Sequence, residues 1–286
     1  MYCTSETPMA IRDVLLTLTS YPDPTPVSVI DRAVSLASTL AAHVAAISCE
    51  AHVQVPGSFL GGAGNLGSIV TSEVQKSRRN ARDLLATFEL TAQKAGVLHE
   101  TVLERCLTSE VPDLLVEYAR LRDLTIVPVP ISYDQWYAEA IIFGAGRPTL
   151  VVPEAPPSRT FELNRVLVAW DFSRAAARAV SDAIPILEKA REVRILTVTN
   201  EKAIPSKRSA SELAKNLSRH GMDVIVEEVD AAGRAIGDVL AAQIESRRAD
   251  LLVMGAYGHS RFREFILGGA TRSILTKPPI PVLLSH

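Results

Sequence analysis

The chain reads as an α/β protein made of two tandem open sheets, each of five parallel strands, and three observations predict it. Short apolar runs alternate with segments of helical periodicity along the whole length, the order that builds parallel βαβ units. That order occurs twice, in halves of similar length. Segments of the two halves also superimpose. Asp13-Val14-Leu15-Leu16-Thr17-Leu18-Thr19 lies on Arg165-Val166-Leu167-Val168-Ala169-Trp170-Asp171, and Asp123-Leu124-Thr125-Ile126-Val127-Pro128 on Asp250-Leu251-Leu252-Val253-Met254-Gly255.

In the first half, an apolar strand over 14–18 is followed by a proline-rich turn and then a helix over 27–42, whose apolar face holds Ile30, Ala33, Val34, Leu36, Ala37 and Leu40. Strand 44–49 follows, then a glycine-rich loop over 56–67 and a long polar helix over 68–95. Lys76, Arg78, Arg79 and Arg82 of that helix alternate with core positions and read as a solvated face. Strand 100–103 leads to a helix capped by Thr108 or Ser109 and ending at Arg120, then to strand 123–129. After the segment 136–143 and Gly144-Ala145-Gly146, strand 149–152 closes the half. The linker 153–160, rich in proline, places the boundary between residues 155 and 156, giving domains 1–155 and 156–286.

The second half repeats the plan. Its strands are expected over 166–170, 193–198, 223–229, 250–254 and 280–284, with helices over 174–190, 210–220, 235–247 and 270–277.

Composition narrows the function. A chain of 286 residues with 47% apolar residues can fill two cores. Its 30 basic and 32 acidic residues leave no electrostatic footprint for nucleic acid. Cys3, Cys49 and Cys106 are an odd number at unrelated positions, which speaks against a disulfide framework and for a reducing, cytoplasmic setting. No apolar run approaches the ~20 residues that span a bilayer, and the first residues lack a signal-peptide pattern, so no membrane partner is expected.

Ligands of open parallel sheets bind outside the carboxyl ends of the strands, where the strand order reverses. In the second half those ends carry Asp171-Phe172-Ser173, Val198 and the stretch from Gly255 through Gly258, His259 and Arg261 to Gly268-Gly269-Ala270-Thr271. Glycines admit close backbone approach, and the free N–H groups of a helix's first turn attract phosphate. The first half has Thr19 for Asp171, Pro128 for Gly255 and Ile131 for Gly258, so it is expected to be silent. A second glycine pattern, Gly62-Ala63-Gly64-Asn65-Leu66-Gly67, matches the dinucleotide fingerprint but stands more than ten residues beyond its strand, where that fingerprint does not work.

The spacing Gly255-x2-Gly258-x9-Gly268, with strand-end Asp171 and the terminal strand Pro281-Val282-Leu283-Leu284, resembles the nucleotide-binding signature of the universal stress protein family. The resemblance covers nearly the whole chain, as a tandem two-domain member. It implies a Rossmann-like fold of the adenine nucleotide alpha hydrolase type, with ATP, with or without Mg2+, across the second half. Asp171 would lie near the ribose or adenine, the backbone of Val198 at the adenine edge, and the glycine-loop amides on the phosphates. It also implies an intramolecular pseudo-dimer of the two domains and leaves room for a homodimer. One departure stands out: Gly269 occupies the place where the family usually has Ser or Thr, and Thr271 is the nearest substitute hydroxyl.

Three functions fit to different degrees. An adenine-nucleotide-binding stress or signalling protein, with at most slow ATP hydrolysis, leads. A nucleotide-free interaction or dimerisation protein is the alternative, favoured by Gly269. An enzyme acting on a phosphorylated or nucleotide substrate fits least, because no acid/base pair converges on the loop; the chain also has no G-x-x-x-x-G-K-[ST] loop, and its six histidines have no metal spacing.

Overall fold

The computed structural model describes residues 11–52, 66–129, 136–154, 162–200, 209–256, 258–259, 266–267 and 269–286. The first half contains β1 (Asp13–Leu18), α1 (Val27–Leu40), β2 (His43–His52), α2 (Leu66–Ala95), β3 (His99–Leu107), α3 (Val111–Arg120), β4 (Leu124–Val129), α4 (Trp136–Gly144) and β5 (Thr149–Pro153). The second contains β6 (Arg165–Ala169), α5 (Arg174–Leu187), β7 (Glu192–Thr199), α6 (Ser211–Ser218), β8 (Val224–Asp230), α7 (Ile236–Arg247), β9 (Leu251–Gly255), β10 (Gly258–His259), β11 (Ile266–Leu267), α8 (Gly269–Thr276) and β12 (Val282–Ser285). Residues 155–160 of the expected linker, and glycines 62 and 64, lie outside the described residues, whereas Gly67 falls in α2.

The two sets of five strands form one ten-stranded sheet in the order β3-β2-β1-β4-β5-β12-β9-β6-β7-β8. Within each set the pairs are parallel, and the sets join where β5 and β12 run antiparallel, with Val151 opposite Val282 and Leu150 opposite Leu283. These closing strands are apolar on both faces and fully buried. Left bare, each would be a sticky sheet edge, and pairing them removes both edges at once.

Strand alternation sorts the core into two layers. Val14, Leu16 and Leu18 face α1 and α2 together with Phe88, while Leu15 turns to the opposite layer with Leu115 of α3 and Ile141 of α4. In the second half Val166 and Val168 share a layer with α5, and Leu167 lies with Ile274 of α8. The period of two in each strand therefore feeds helices on both faces, the three-layer plan of a parallel sheet.

The duplication extends to polar contacts. Asp123 accepts from the backbone N–H groups of Arg12 (2.9 Å) and Asp13 (3.1 Å), and Asp250 from those of Asn164 (3.1 Å) and Arg165 (2.9 Å). In each half one carboxylate thus ties the entry of the fourth strand to the entry of the first.

Two local expectations need correction. Neither Thr108 nor Ser109 caps α3: Glu110 holds the cap position, accepts with its side chain from the Leu107 N–H at 2.9 Å, and lets Pro112 enter the first turn. Pro there costs nothing, since its missing N–H would have no partner. Arg78 and Arg82 are likewise more than a solvated face, because with Arg105 they surround the buried carboxylate of Glu50 at 3.4, 3.1 and 2.8 Å. Burial pushes that carboxyl upward, and the three guanidinium groups outweigh it and hold it below its ordinary range.

Candidate functional site

Each half has one point where the strand order reverses. β6 lies between β7 and β9, and β1 lies between β2 and β4. The carboxyl ends of these strands are where an open sheet receives ligands.

At the second-half point, the turn from β6 into α5 is built by its own side chains. Ser173 is the N-cap of α5, accepting from the Ala176 N–H at 3.1 Å, and the Asp171 carboxylate accepts from the Ser173 N–H at 3.0 Å. Asp171 therefore shapes the turn and leaves the capping to Ser173. Between them Phe172 takes a left-handed backbone, φ 62°, which costs a residue with a Cβ roughly 1–2 kcal/mol. Its ring lies 5.5 Å from that of Trp170, tilted by 58°, and the indole N–H of Trp170 is buried with no partner among the described residues.

Gly255 sits directly beside this turn. A Cβ built there would stand 2.5 Å from the carbonyl carbon of Ala175 and from the backbone nitrogen of Ala176, distances no real contact tolerates. This glycine is thus required by the seating of α5 on β9. Asp171, Phe172, Ser173 and Gly255 come together for that reason, with half-buried Val198 on β7, the neighbouring strand.

The glycine stretch itself contains an element that the sequence did not announce. Gly258 pairs with Leu267 and His259 with Ile266 in the antiparallel pair β10 and β11. Gly268 and Arg261 lie outside the described residues. Gly269 opens α8, where an added Cβ would meet nothing within 4 Å among the described residues, Ala270 is half-buried, and Thr271 is 1% exposed. Among the described residues, no group of three or more His, Cys, Asp or Glu side chains is arranged to hold a metal ion.

The first-half point, expected to be silent, holds a cavity of about 320 Å³ at the ends of β1, β2 and β4. Ile47, Val111, Leu115 and Val127 supply apolar walls, and Asp23 and Glu154 bring two carboxyl groups. Burial, with the nearby charge of Asp23, pushes the Glu154 carboxyl up to about 7. Cys49 also lines the space, with Cys106 of β3 beside it. Unrelated in sequence, these cysteines are brought near by a register that places Ala51 opposite Cys106. Burial pushes both thiols up, so neither is an activated nucleophile. Applying the strand-end rule to the first half without demanding glycine would have pointed to this place.

Fold and strand-end geometry define a tandem α/β protein with one ligand-type switch point in each half. A model described as the Universal stress protein family matches residues 162–286. A universal stress protein of Synechocystis sp. is 30% identical over 234 residues, spanning 76% of this chain and 77% of that protein. Another, from Methanocaldococcus jannaschii, is 25% identical over 151 residues, 42% of this chain and 93% of that one. The chain belongs to the universal stress protein family. Among solved structures, a universal stress protein from Archaeoglobus fulgidus covers 95% of this chain and 98% of its own, with a TM-score of 0.67 at 15% identity. At that identity the likeness concerns the fold.

Proposed function

We propose that this protein is an adenine-nucleotide-binding universal stress protein whose second domain, 156–286, holds ATP, while the first domain, 1–155, binds no nucleotide. The observation that carries the reading is the convergence of the Asp171–Phe172–Ser173 turn and Gly255 at the β6/β9 switch point, with α8 opening at Gly269. The residues fit the group: among the described residues, nothing lies within 4 Å of a Cβ built at Gly269, the first residue of α8. ATP would supply only its own charge and adenine face. Asp171 would meet the ribose or adenine, the Val198 backbone the adenine edge, and backbone N–H groups of Gly258, His259, Gly268, Gly269 and Ala270 the phosphates. Thr271, buried, serves helix packing in this reading, and Mg2+ would arrive with the nucleotide.

Among the described residues no acid/base pair is aimed at the phosphates in this reading, so hydrolysis is at most slow and the protein acts as a binder in stress signalling. The antiparallel β5–β12 pairing supports an intramolecular pseudo-dimer. Free thiols at Cys49 and Cys106 suit a reducing cytoplasm, and no helix among the described residues is long and apolar enough to cross a membrane. The nucleotide-free interaction protein is the second reading, favoured by Gly269.

Calorimetric titration of ATP into wild type, Gly258→Val and Ile131→Gly separates them. One nucleotide per wild-type chain is expected, lost in folded Gly258→Val and unaffected by Ile131→Gly. For micromolar binding, about −8 kcal/mol, losing the phosphate cradle removes several powers of ten. Two nucleotides per chain, or wild-type affinity in Gly258→Val, overturns the assignment. Mass spectrometry of material released on denaturation identifies what the protein carries.

A further inference from the structure

The first-half cavity lies at a ligand-type switch point, yet its chemistry is the opposite of a phosphate site. Its walls are largely apolar, from Ile47, Leu115 and Val127, and among the described residues lining it none is Lys, Arg or His. Two carboxylates, Asp23 and Glu154, face a phosphate there instead. Pro128, at the position equivalent to Gly255, also lines the cavity and has no backbone N–H to offer. A polyphosphate would therefore bring negative charge to negative charge, with no cation among the described lining residues to offset it.

We propose that this cavity binds a small organic amine, its ammonium held between Glu154 and Asp23 and its apolar body against Ile47, Leu115 and Val127. Its volume of about 320 Å³ stands at the small end of ligand pockets, ~300–1,000 Å³, which suits a single ring or a short alkyl chain. Burial, and after it the nearby charge of Asp23, holds the proton on Glu154 up to about 7. An ammonium group offsets that charge and donates to both. The rings of Tyr21 and Tyr137, which also line the cavity, add aromatic surface of the kind that attracts a cation.

The test is calorimetry on the full chain with phenethylamine and hexylamine as probes and 2-phenylethanol as the neutral control. One amine per chain is expected, at least ~10-fold tighter than the alcohol, with a loss of ~10-fold or more in Glu154→Gln, which keeps shape and removes charge. Leu115→Trp fills the cavity and should abolish binding while retaining the wild-type circular dichroism. ATP should neither displace nor weaken the amine, and Gly258→Val should bind the amine normally, so this result and the nucleotide assignment fail independently. Equal binding of 2-phenylethanol, wild-type amine affinity in Glu154→Gln, displacement by ATP, or no amine binding up to about 10 mM each overturns the proposal.

Discussion

Gly255→Ala tests whether the first glycine of the motif serves packing. The added Cβ would stand 2.5 Å from the Ala175 carbonyl carbon and the Ala176 nitrogen and 2.8 Å from the Ala175 Cβ. Carbon contacts are favourable at ~3.5–4.0 Å, so the first turn of α5 must retreat by about 1 Å. That turn cannot move freely. Ala176 is 2% exposed, and its N–H is fixed on Ser173 at 3.1 Å. Overpacking of this kind costs ~1–3 kcal/mol, and weakening the cap adds ~0.5–2 kcal/mol, so a loss of about 2–4 kcal/mol is expected. Urea unfolding followed by circular dichroism measures it, and amide hydrogen exchange should show early opening of α5. Gly269→Ala is the control, because its Cβ meets nothing within 4 Å among the described residues, and it should stay within ~1 kcal/mol of wild type. A Gly255→Ala protein with the wild-type urea midpoint and slope would refute the packing argument and return Gly255 to a role in ligand approach alone.

Asp123→Asn and Asp250→Asn should each lower stability by ~1–3 kcal/mol, since each carboxylate accepts two backbone N–H bonds at a strand entry. A cost in one half and none in the other, by urea unfolding, contradicts their equivalence. Gly269→Ser should leave stability within ~1 kcal/mol of wild type and tighten ATP several-fold by calorimetry. Unchanged affinity counts against Gly269 as a phosphate position. Glu154 makes stability depend on pH: its carboxyl is raised from 4.5 to about 7 in the folded chain, so the folded state holds the proton more tightly than the unfolded. Its contribution is complete below 4.5 and declines as pH rises through about 7, and Glu154→Gln should flatten the stability profile across that window. Parallel wild-type and variant profiles would show that the carboxyl titrates as an ordinary one.

The succession of strands and helices was legible because it follows from local pattern. Val14, Leu16 and Leu18 against Leu15, or Val166 and Val168 against Leu167, carry the period of two that each face of the sheet demands. The repeat was legible for the same reason, and Asp123 and Asp250 aligned because one contact recurs. The rest depended on distant partners. Glu50 meets Arg82 only once α2 lies against β2, and Cys49 meets Cys106 only through the β2–β3 register. Two-residue strands such as β10 and β11 leave no periodicity to detect. In the candidate site, Asp171 and Ser173 were recognisable as strand-end residues, but their division of labour, one shaping the turn and one capping the helix, is a matter of hydrogen-bond geometry.

The difference between the two switch points comes down to one strand-end residue and one loop. In the second half only residues 170–173 separate β6 from α5, and the glycine at 255 lets the first turn of that helix settle onto β9. In the first half the connection from β1 to α1 runs over 19–26, closed by Thr25, which accepts from the Thr19 N–H at 2.9 Å. This longer loop brings Tyr21, Pro22 and Asp23 to the rim, while Pro128 carries a ring where Gly255 has only hydrogen. A helix cannot settle onto a strand end that bears a proline ring as closely as onto a bare glycine. The space left over is the cavity, and its charge is set by whichever residues the longer loop and the end of β5 deliver, here Asp23 and Glu154. One backbone plan therefore produces a tight, glycine-dependent turn in one half and an acidic, apolar-walled chamber in the other, so shortening the 19–26 loop should close the chamber without disturbing the β6/β9 turn.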